Sequence, residues 1–170
     1  MANIDKIIIK KADIEDAESI FNIQIASYQA SYHETQDTLA GKIARTNAIC
    51  YVAICNNMVA GYILSYPEKE NYTSNLHEEY TNDTQNKSQN FSIWYLHDLA
   101  IHPSFQGLNI AKKLYNKALE EAKKLNLKTS KLVAVQDAAL FWHKLGYKKI
   151  GKPDDNAGYL VEAIVMEKEL

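Results

Sequence analysis

A chain of 170 residues, 46% apolar and 24% charged, is long enough to bury one core and too short to require two, so a single domain over residues 1–170 is expected. A net charge of -2 with no Lys/Arg block removes the electrostatic attraction that nucleic acid or an anionic membrane would require, and neither is expected as a partner. The first ten residues lack the length and cleavage pattern of a signal peptide and no apolar run approaches a membrane span, which predicts a cytoplasmic protein.

The predicted elements begin with a strand over Ile4 to Lys10. Asp13 then caps a helix whose apolar positions are Ile14, Ala17, Ile20, Phe21, Ile25 and Tyr28. A shorter helix is expected over Asp37 to Thr46. Cys50 to Cys55 and Met58 to Tyr66 form a hairpin across Asn56-Asn57, a pair able to take the positive backbone angles of a tight turn. Cys50 and Cys55 fall at opposite ends and on opposite faces of their strand, so they are expected to be two unlinked thiols. Pro67 to Ser92 reads as a polar insertion, a surface loop in preference to a substrate lid. Its acids Glu68, Glu70, Glu78, Glu79 and Asp83 outnumber Lys69 and Lys87, a balance that would favour a cationic amine nearby.

The run Tyr95-Leu96-His97-Asp98-Leu99-Ala100-Ile101-His102-Pro103 enters Gln106-Gly107-Leu108-Asn109-Ile110-Ala111-Lys112 directly. It reads as a strand, a loop and a helix start, an arrangement that aims backbone N–H groups at a phosphate. Ala111, Leu114, Tyr115, Ala118, Ala122 and Leu125 continue at helical spacing and make that helix amphipathic. A strand over Lys131 to Val135, a short helix through Phe141-Trp142-His143-Lys144 and Leu145-Gly146-Tyr147 come next. A strand over Lys148 to Gly151, a turn over Pro153 to Asn156 and a last strand over Tyr159 to Lys168 complete the chain. The five histidines are dispersed without metal-ligand spacing, so no metal is expected.

This ordered set over Ile93 to Tyr147 resembles the GNAT superfamily of acetyl-CoA-dependent N-acetyltransferases, which carry a strand, a Q/R-x-x-G-x-G/A loop, a long helix, a strand and a short helix ending in G-F/Y. Within it, the run YLHDLAIHPSFQGLNIA is similar to that of serotonin (arylalkylamine) N-acetyltransferase-like members, with His97 matching the second of two strand histidines and Tyr95 replacing the first. The resemblance implies an α/β GNAT fold, a central mixed, mostly antiparallel sheet of six to seven strands flanked by about four helices. It further implies acetyl-CoA as cosubstrate, held by Leu99, Ala100, Ile101, Gln106, Gly107, Leu108, Asn109, Ile110, Ala111 and Lys112 and bordered by Trp142. Three positions depart from the pattern: Asn109 stands for a loop glycine, Trp142 for the tyrosine that protonates the leaving thiolate, and Val135 for an asparagine.

Acetyl transfer to an amine needs a group that takes the amine proton and a donor for the developing oxyanion. His97 is the candidate base and Tyr95 a further catalytic candidate, and the resemblance implies the Leu99 N–H as oxyanion donor. Alternation puts Tyr95, His97, Leu99 and Ile101 nominally on one face, although the bulge that GNAT relatives have here would change that locally. Asp98, in opposite phase, is expected to make a structural hydrogen bond. Tyr28, Tyr32 and His33 fall between the first two helices, where the resemblance implies the acceptor pocket, and no Cys or Ser sits in a nucleophile motif, so direct attack in a ternary complex is expected. The reading is an N-acetyltransferase for a small primary amine. A non-catalytic acyl-CoA-binding module and a protein or peptide N-terminal acetyltransferase are the alternatives, and a homodimer stays open.

Overall fold

A computed structural model describes residues 6–78 and 90–170. Seven strands form one twisted sheet: β1 (Ile8–Lys11), β2 (Tyr51–Cys55), β3 (Met58–Glu68), β4 (Ile93–Ile101), β5 (Thr129–Ala134), β6 (Lys148–Gly151) and β7 (Ile164–Glu169). Their spatial order is β1-β2-β3-β4-β5-β7-β6. Only β4 and β5 run parallel, joined by the crossover helix α3 (Ile110–Lys124), as a parallel pair requires. The other helices are α1 (Ala17–Ser27), α2 (Gln36–Ile43) and α4 (Ala139–Lys144).

The two faces of the sheet bury separate cores. Leu114, Tyr115, Ala118 and Ala122 of α3 pack with Ala53, Ile63, Trp94, Leu96 and Met166 on one face. Ile20 and Ile23 of α1 and Leu39 and Ile43 of α2 pack with Val52, Tyr62, Leu64 and Ala100 on the other. Cys50 lies in the second core and Cys55 in the first, both reduced, as alternation along β2 predicts.

Several boundaries move. Asp13 does cap, with Asp16 completing a capping box, but the first turn is 3-10, and Ile14 and Ile25, read as buried, are exposed. The predicted helix over Asp37 to Thr46 runs from Gln36 to Ile43, with Thr35 as its N-cap. The hairpin turn is as expected, with φ of 50° at Asn56 and 59° at Asn57. β3 continues to Glu68, two residues into the predicted insertion, and β7 starts at Ile164, five residues later than expected. Ile4 and Asp5 of the predicted first strand and residues 79–89 of the insertion, with Glu79, Asp83 and Lys87, lie outside the described residues.

One irregularity positions everything that follows. In the β3–β4 ladder Leu64 faces Asp98 while Ser65 faces Leu96, so His97 is an extra residue on β4, a β-bulge. Before it, Trp94 and Leu96 point to the α3 face; after it, Leu99 and Ile101 do. The alternation expected to place Tyr95, His97, Leu99 and Ile101 together therefore breaks, because one added residue inverts the phase. Tyr95 and His97 stay on one face, their rings 6.4 Å apart and both against Tyr66, while Leu99 and Ile101 turn to the other.

Candidate active site

Pairing between β4 and β5 ends at Leu96–Leu132, although β4 runs on to Ile101 and β5 to Ala134. The strands diverge, and a cavity of about 740 Å³ occupies the gap. Leu99 and Ile101 line it from β4, and Val133 and Val135 from β5 and its end. In a sheet interior the facing backbone groups would be paired; here the β5 side of β4 beyond Leu96 is free of that ladder and open to a ligand.

At one end, Gln106, Gly107, Asn109, Ile110, Ala111 and Lys112 line the cavity. Gly107 has φ of 81° and Asn109 φ of 60°, both left-handed, and nothing lies within 4 Å of where a Gly107 Cβ would stand. Asparagine is the non-glycine residue that best tolerates that backbone, so the departure from glycine keeps the loop's shape. The Asn109 side chain makes no capping bond to α3, and Lys113 N–H is the first to bond within the helix, to Asn109 O at 3.2 Å. The N–H groups of Ile110, Ala111 and Lys112 have no hydrogen-bond partner among the described residues, a set of donors suited to a pyrophosphate.

Leu108 and Ala100 belong to this loop and strand through their backbone; the Leu108 side chain packs against the α3-side core and that of Ala100 against α1. Trp142 lines the cavity, buried edge-on against Phe141 and Tyr147 with ring centroids 4.9 and 5.6 Å apart. Nearby Tyr147 is no substitute acid: its hydroxyl bonds Ser130 Oγ at 2.6 Å, and burial, then Tyr115, hold it well above the usual phenol range.

At the other end the bulge turns His97 toward α1 and α2. Its side chain is 3% exposed and meets Glu34, from the loop between those helices, and Lys42 of α2, whose side chains are 2% and 1% exposed. His97 Nε2 is 2.5 Å from Glu34 Oε1 and 2.8 Å from Lys42 Nζ; Lys42 Nζ also donates to Glu34 Oε2. Gln24 of α1 fixes the Glu34 backbone from both sides, donating to its carbonyl and accepting from its N–H, each at 2.9 Å. Burial alone would raise the Glu34 carboxyl, but His97 and Lys42 outweigh it and hold it far below the usual carboxylate range. Burial lowers the Lys42 ammonium, against the opposing pull of Glu34.

Asp98 anchors this end. Its carboxylate accepts from Tyr28 Oη at 2.6 Å and Tyr62 Oη at 2.5 Å, the structural bonding expected of it. Burial raises Asp98, and burial with the Asp98 charge holds both phenols well above their usual range. Tyr28 and Tyr32 line the cavity; His33 does not, because its Nε2 sits 2.6 Å from Tyr28 O and ties the loop to α1. Tyr32 donates to Glu162 Oε1 at 2.6 Å and accepts from Leu160 N at 3.3 Å; burial, then the Glu162 bond, push it up to about 12.

The described part of the polar insertion lies at the surface, with no residue from Lys69 to Glu78 buried, and its inner side reaches this end of the cavity. Leu76 and Tyr159 line the cavity, Leu76 N donates to Ala157 O at 2.8 Å, Ser74 Oγ is 2.7 Å from Tyr159 Oη, and His77 N donates to Glu34 Oε2 at 3.2 Å. Glu34, Lys42, Leu76 and Tyr159 were missed from sequence. Only Lys42 carried a signal: it shares a helical stripe with Leu39 and Ile43, a charge at a core position.

A sequence model of the Acetyltransferase (GNAT) family matches residues 17–147, and the chain belongs to that family. It is 30% identical over 98 residues to a protein described as uncharacterized N-acetyltransferase ycf52 of Pyropia yezoensis, covering 58% of this chain and 52% of that one. The corresponding protein of Porphyra purpurea is 33% identical over 66 residues, 39% of this chain and 36% of its own length. The chain thus spans about half or less of these curated relatives. Among solved structures, the fold is similar to paiA N-acetyltransferase of Thermoplasma acidophilum in complex with coenzyme A, at TM-score 0.70 and 18% identity over 97% of this chain and 99% of that one. Arabidopsis thaliana Naa50 with a bisubstrate analogue gives 0.70 and 16% over 96% and 99%. Drosophila melanogaster polyamine N acetyltransferase gives 0.68 and 14% over 97% and 100%. These likenesses bear on the fold, a GNAT fold with seven strands and four helices.

Among the described residues no group of three His, Cys, Asp or Glu side chains is placed to hold a metal, and no helix is long and apolar enough to cross a membrane.

Proposed function

We propose that the protein is an acetyl-CoA-dependent N-acetyltransferase acting on a small primary amine in the cytoplasm. The observation that carries the reading is a single cavity that runs from the free N–H groups of α3, through the gap between β4 and β5, to His97. When bound, acetyl-CoA supplies an activated thioester. The backbone of Gly107 to Lys112 would hold its pyrophosphate, the β4 edge from Leu99 to Ile101 its pantetheine arm, and Trp142 would border the arm. His97 removes the ammonium proton and the Leu99 N–H stabilises the oxyanion, within a ternary complex. Trp142 cannot donate a proton at useful pH, so the leaving thiolate is protonated by the amine itself or by water.

The acceptor is small because this end is roofed. Bonds from Leu76 to Ala157 and from Tyr32 to Glu162 bridge the β3–β4 segment, the α1–α2 loop and the β6–β7 loop, where an extended peptide would need an open groove. Tyr28, Tyr32, Leu76 and Tyr159 give an apolar, aromatic wall, which supports an aryl or alkyl amine of the arylalkylamine type. The test is CoA thiol release with a panel of arylalkyl and alkyl amines beside short peptides with free N-termini. Turnover of small amines at least tenfold above peptides is expected; preferential turnover of peptides, or none with any acceptor, would overturn the reading.

A further inference from the structure

Two groups approach one ring nitrogen of His97. Glu34 Oε1 is 2.5 Å and Lys42 Nζ 2.8 Å from Nε2. A single imidazole nitrogen cannot both donate to a carboxylate and accept from an ammonium. We propose that Glu34, clamped in place by Lys42, is a positioning residue that holds His97 as its Nε2–H tautomer and leaves Nδ1 to take the proton of the acceptor ammonium. The inference rests on the acetyltransferase reading for its chemistry and on the site geometry for its tautomer.

The carboxylate wins the nitrogen for three reasons. Its contact is the shorter and, with Glu34 kept ionised, is a charge-assisted bond. Glu34 is nearly fully buried and accepts from Lys42 and from His77 N on its other oxygen, so Oε1 without a donor would be an unsatisfied buried anion. Lys42 already has an acceptor in Glu34 Oε2 and does not need the ring. His97 Nδ1 has no hydrogen-bond partner among the described residues, and His97 is one of the residues that line the cavity.

The step balances without a further reactant. One ammonium N–H bond breaks and the Nδ1–H bond forms, giving a neutral amine and an imidazolium whose Nε2–H faces the Glu34 carboxylate. The amine nitrogen then bonds to the acetyl carbon as the C–S bond breaks. The second amine proton leaves for the thiolate, directly or through water, and His97 returns its proton to solvent. The groups facing His97 are Glu34 from the α1–α2 loop, Lys42 from α2, Asp98 and Tyr95 from β4 itself, the Tyr95 ring at 6.4 Å, and Tyr66 of β3, whose ring stacks at 6.2 Å. Glu34 is the one in position to choose the tautomer, because it holds a ring nitrogen as an acceptor.

The test uses the full chain with 15N-labelled histidine and long-range 1H–15N correlation spectra, His97 being assigned by its loss in His97→Gln. The expected result is a neutral ring protonated at Nε2 with Nδ1 bare. Glu34→Gln should lower kcat roughly ten- to a hundredfold, a part of what a general base supplies, and move the acidic limb of the kcat/KM profile to lower pH. The Glu34→Gln, Lys42→Met double variant, which leaves no lone buried charge, should show the same defect while still binding acetyl-CoA in calorimetry. A ring protonated at Nδ1 in the wild type would overturn the proposal, as would variants within twofold of wild-type kcat with an unmoved acidic limb. Absence of turnover with every amine would remove the acetyltransferase reading while the spectra still decide the tautomer.

Discussion

Glu34 is buried beside the Lys42 ammonium and the His97 ring, and the sign of its effect on stability follows from its lowered carboxyl. Its carboxyl lies below its ordinary 4.5 in the folded protein, so the stability it contributes is fully present above about pH 4.5 and is lost as pH falls further toward the folded value. Urea unfolding of the wild type should therefore show a midpoint that drops steadily below pH 4.5, and Glu34→Gln should flatten that drop while lowering the plateau by roughly 3–5 kcal/mol, the cost of leaving Lys42 unpaired. An equally steep drop in Glu34→Gln would assign the acid sensitivity to other groups. Asn109 offers a second test, since its φ of 60° is tolerable for asparagine and poor for a β-branched residue. Asn109→Val should weaken acetyl-CoA binding about tenfold, equivalent to the ~1–2 kcal/mol left-handed penalty, and Asn109→Gly should leave it intact; equal affinities in calorimetry would contradict this. Asn109 was legible in the sequence because its conformational preference is local. Glu34 was not, because its burial is created by His97, a residue 63 positions away that no local pattern links to it.

β4 and its neighbours set the geometry of the site, and β3 is where that geometry is most easily disturbed. A Cβ on Gly61 would lie 2.5 Å from Ile101 Cδ1 and 2.9 Å from Ala100 O, so the substitution presses on β4 just past the bulge. Gly61→Ala should cost roughly 1–3 kcal/mol by overpacking and raise KM for acetyl-CoA through displaced Ala100 and Ile101; unchanged thermal stability and KM would show that β4 is looser than its packing implies. Elements with strong periodicity were readable: α3 from its apolar stripe, and the β2–β3 hairpin from Asn56-Asn57. The bulge at His97 is not visible in the residues of β4, which read as an unbroken β-prone run; only the resemblance to GNAT relatives pointed to one there, and the extra residue shows in its register with β3. The segment after Glu68 is exposed or half-buried, as its polar composition predicts; what that composition does not show is that Ser74, Leu76 and His77 bond to Tyr159, Ala157 and Glu34, partners that only the tertiary fold brings near.

At the scale of the molecule, the order of strands and helices follows from the order of motifs, and a single parallel β4–β5 pair follows from one long crossover helix. The cavity does not follow from motif order alone. It exists because β4 and β5 stop pairing at Leu96–Leu132 while both continue, and its two ends are then finished by α3 on one side and by the α1–α2 and β6–β7 loops on the other. The central claim is that this space takes acetyl-CoA with its pyrophosphate on the first turn of α3. Calorimetric titration of acetyl-CoA into the wild type and a Gln106→Glu, Ala111→Glu variant tests it most directly, because two carboxylates at that turn repel a pyrophosphate without touching His97. One-to-one binding by the wild type, weakened at least a hundredfold in a variant that keeps the wild-type fold, is the predicted result; no binding by the wild type, or equal binding by both, would contradict the account.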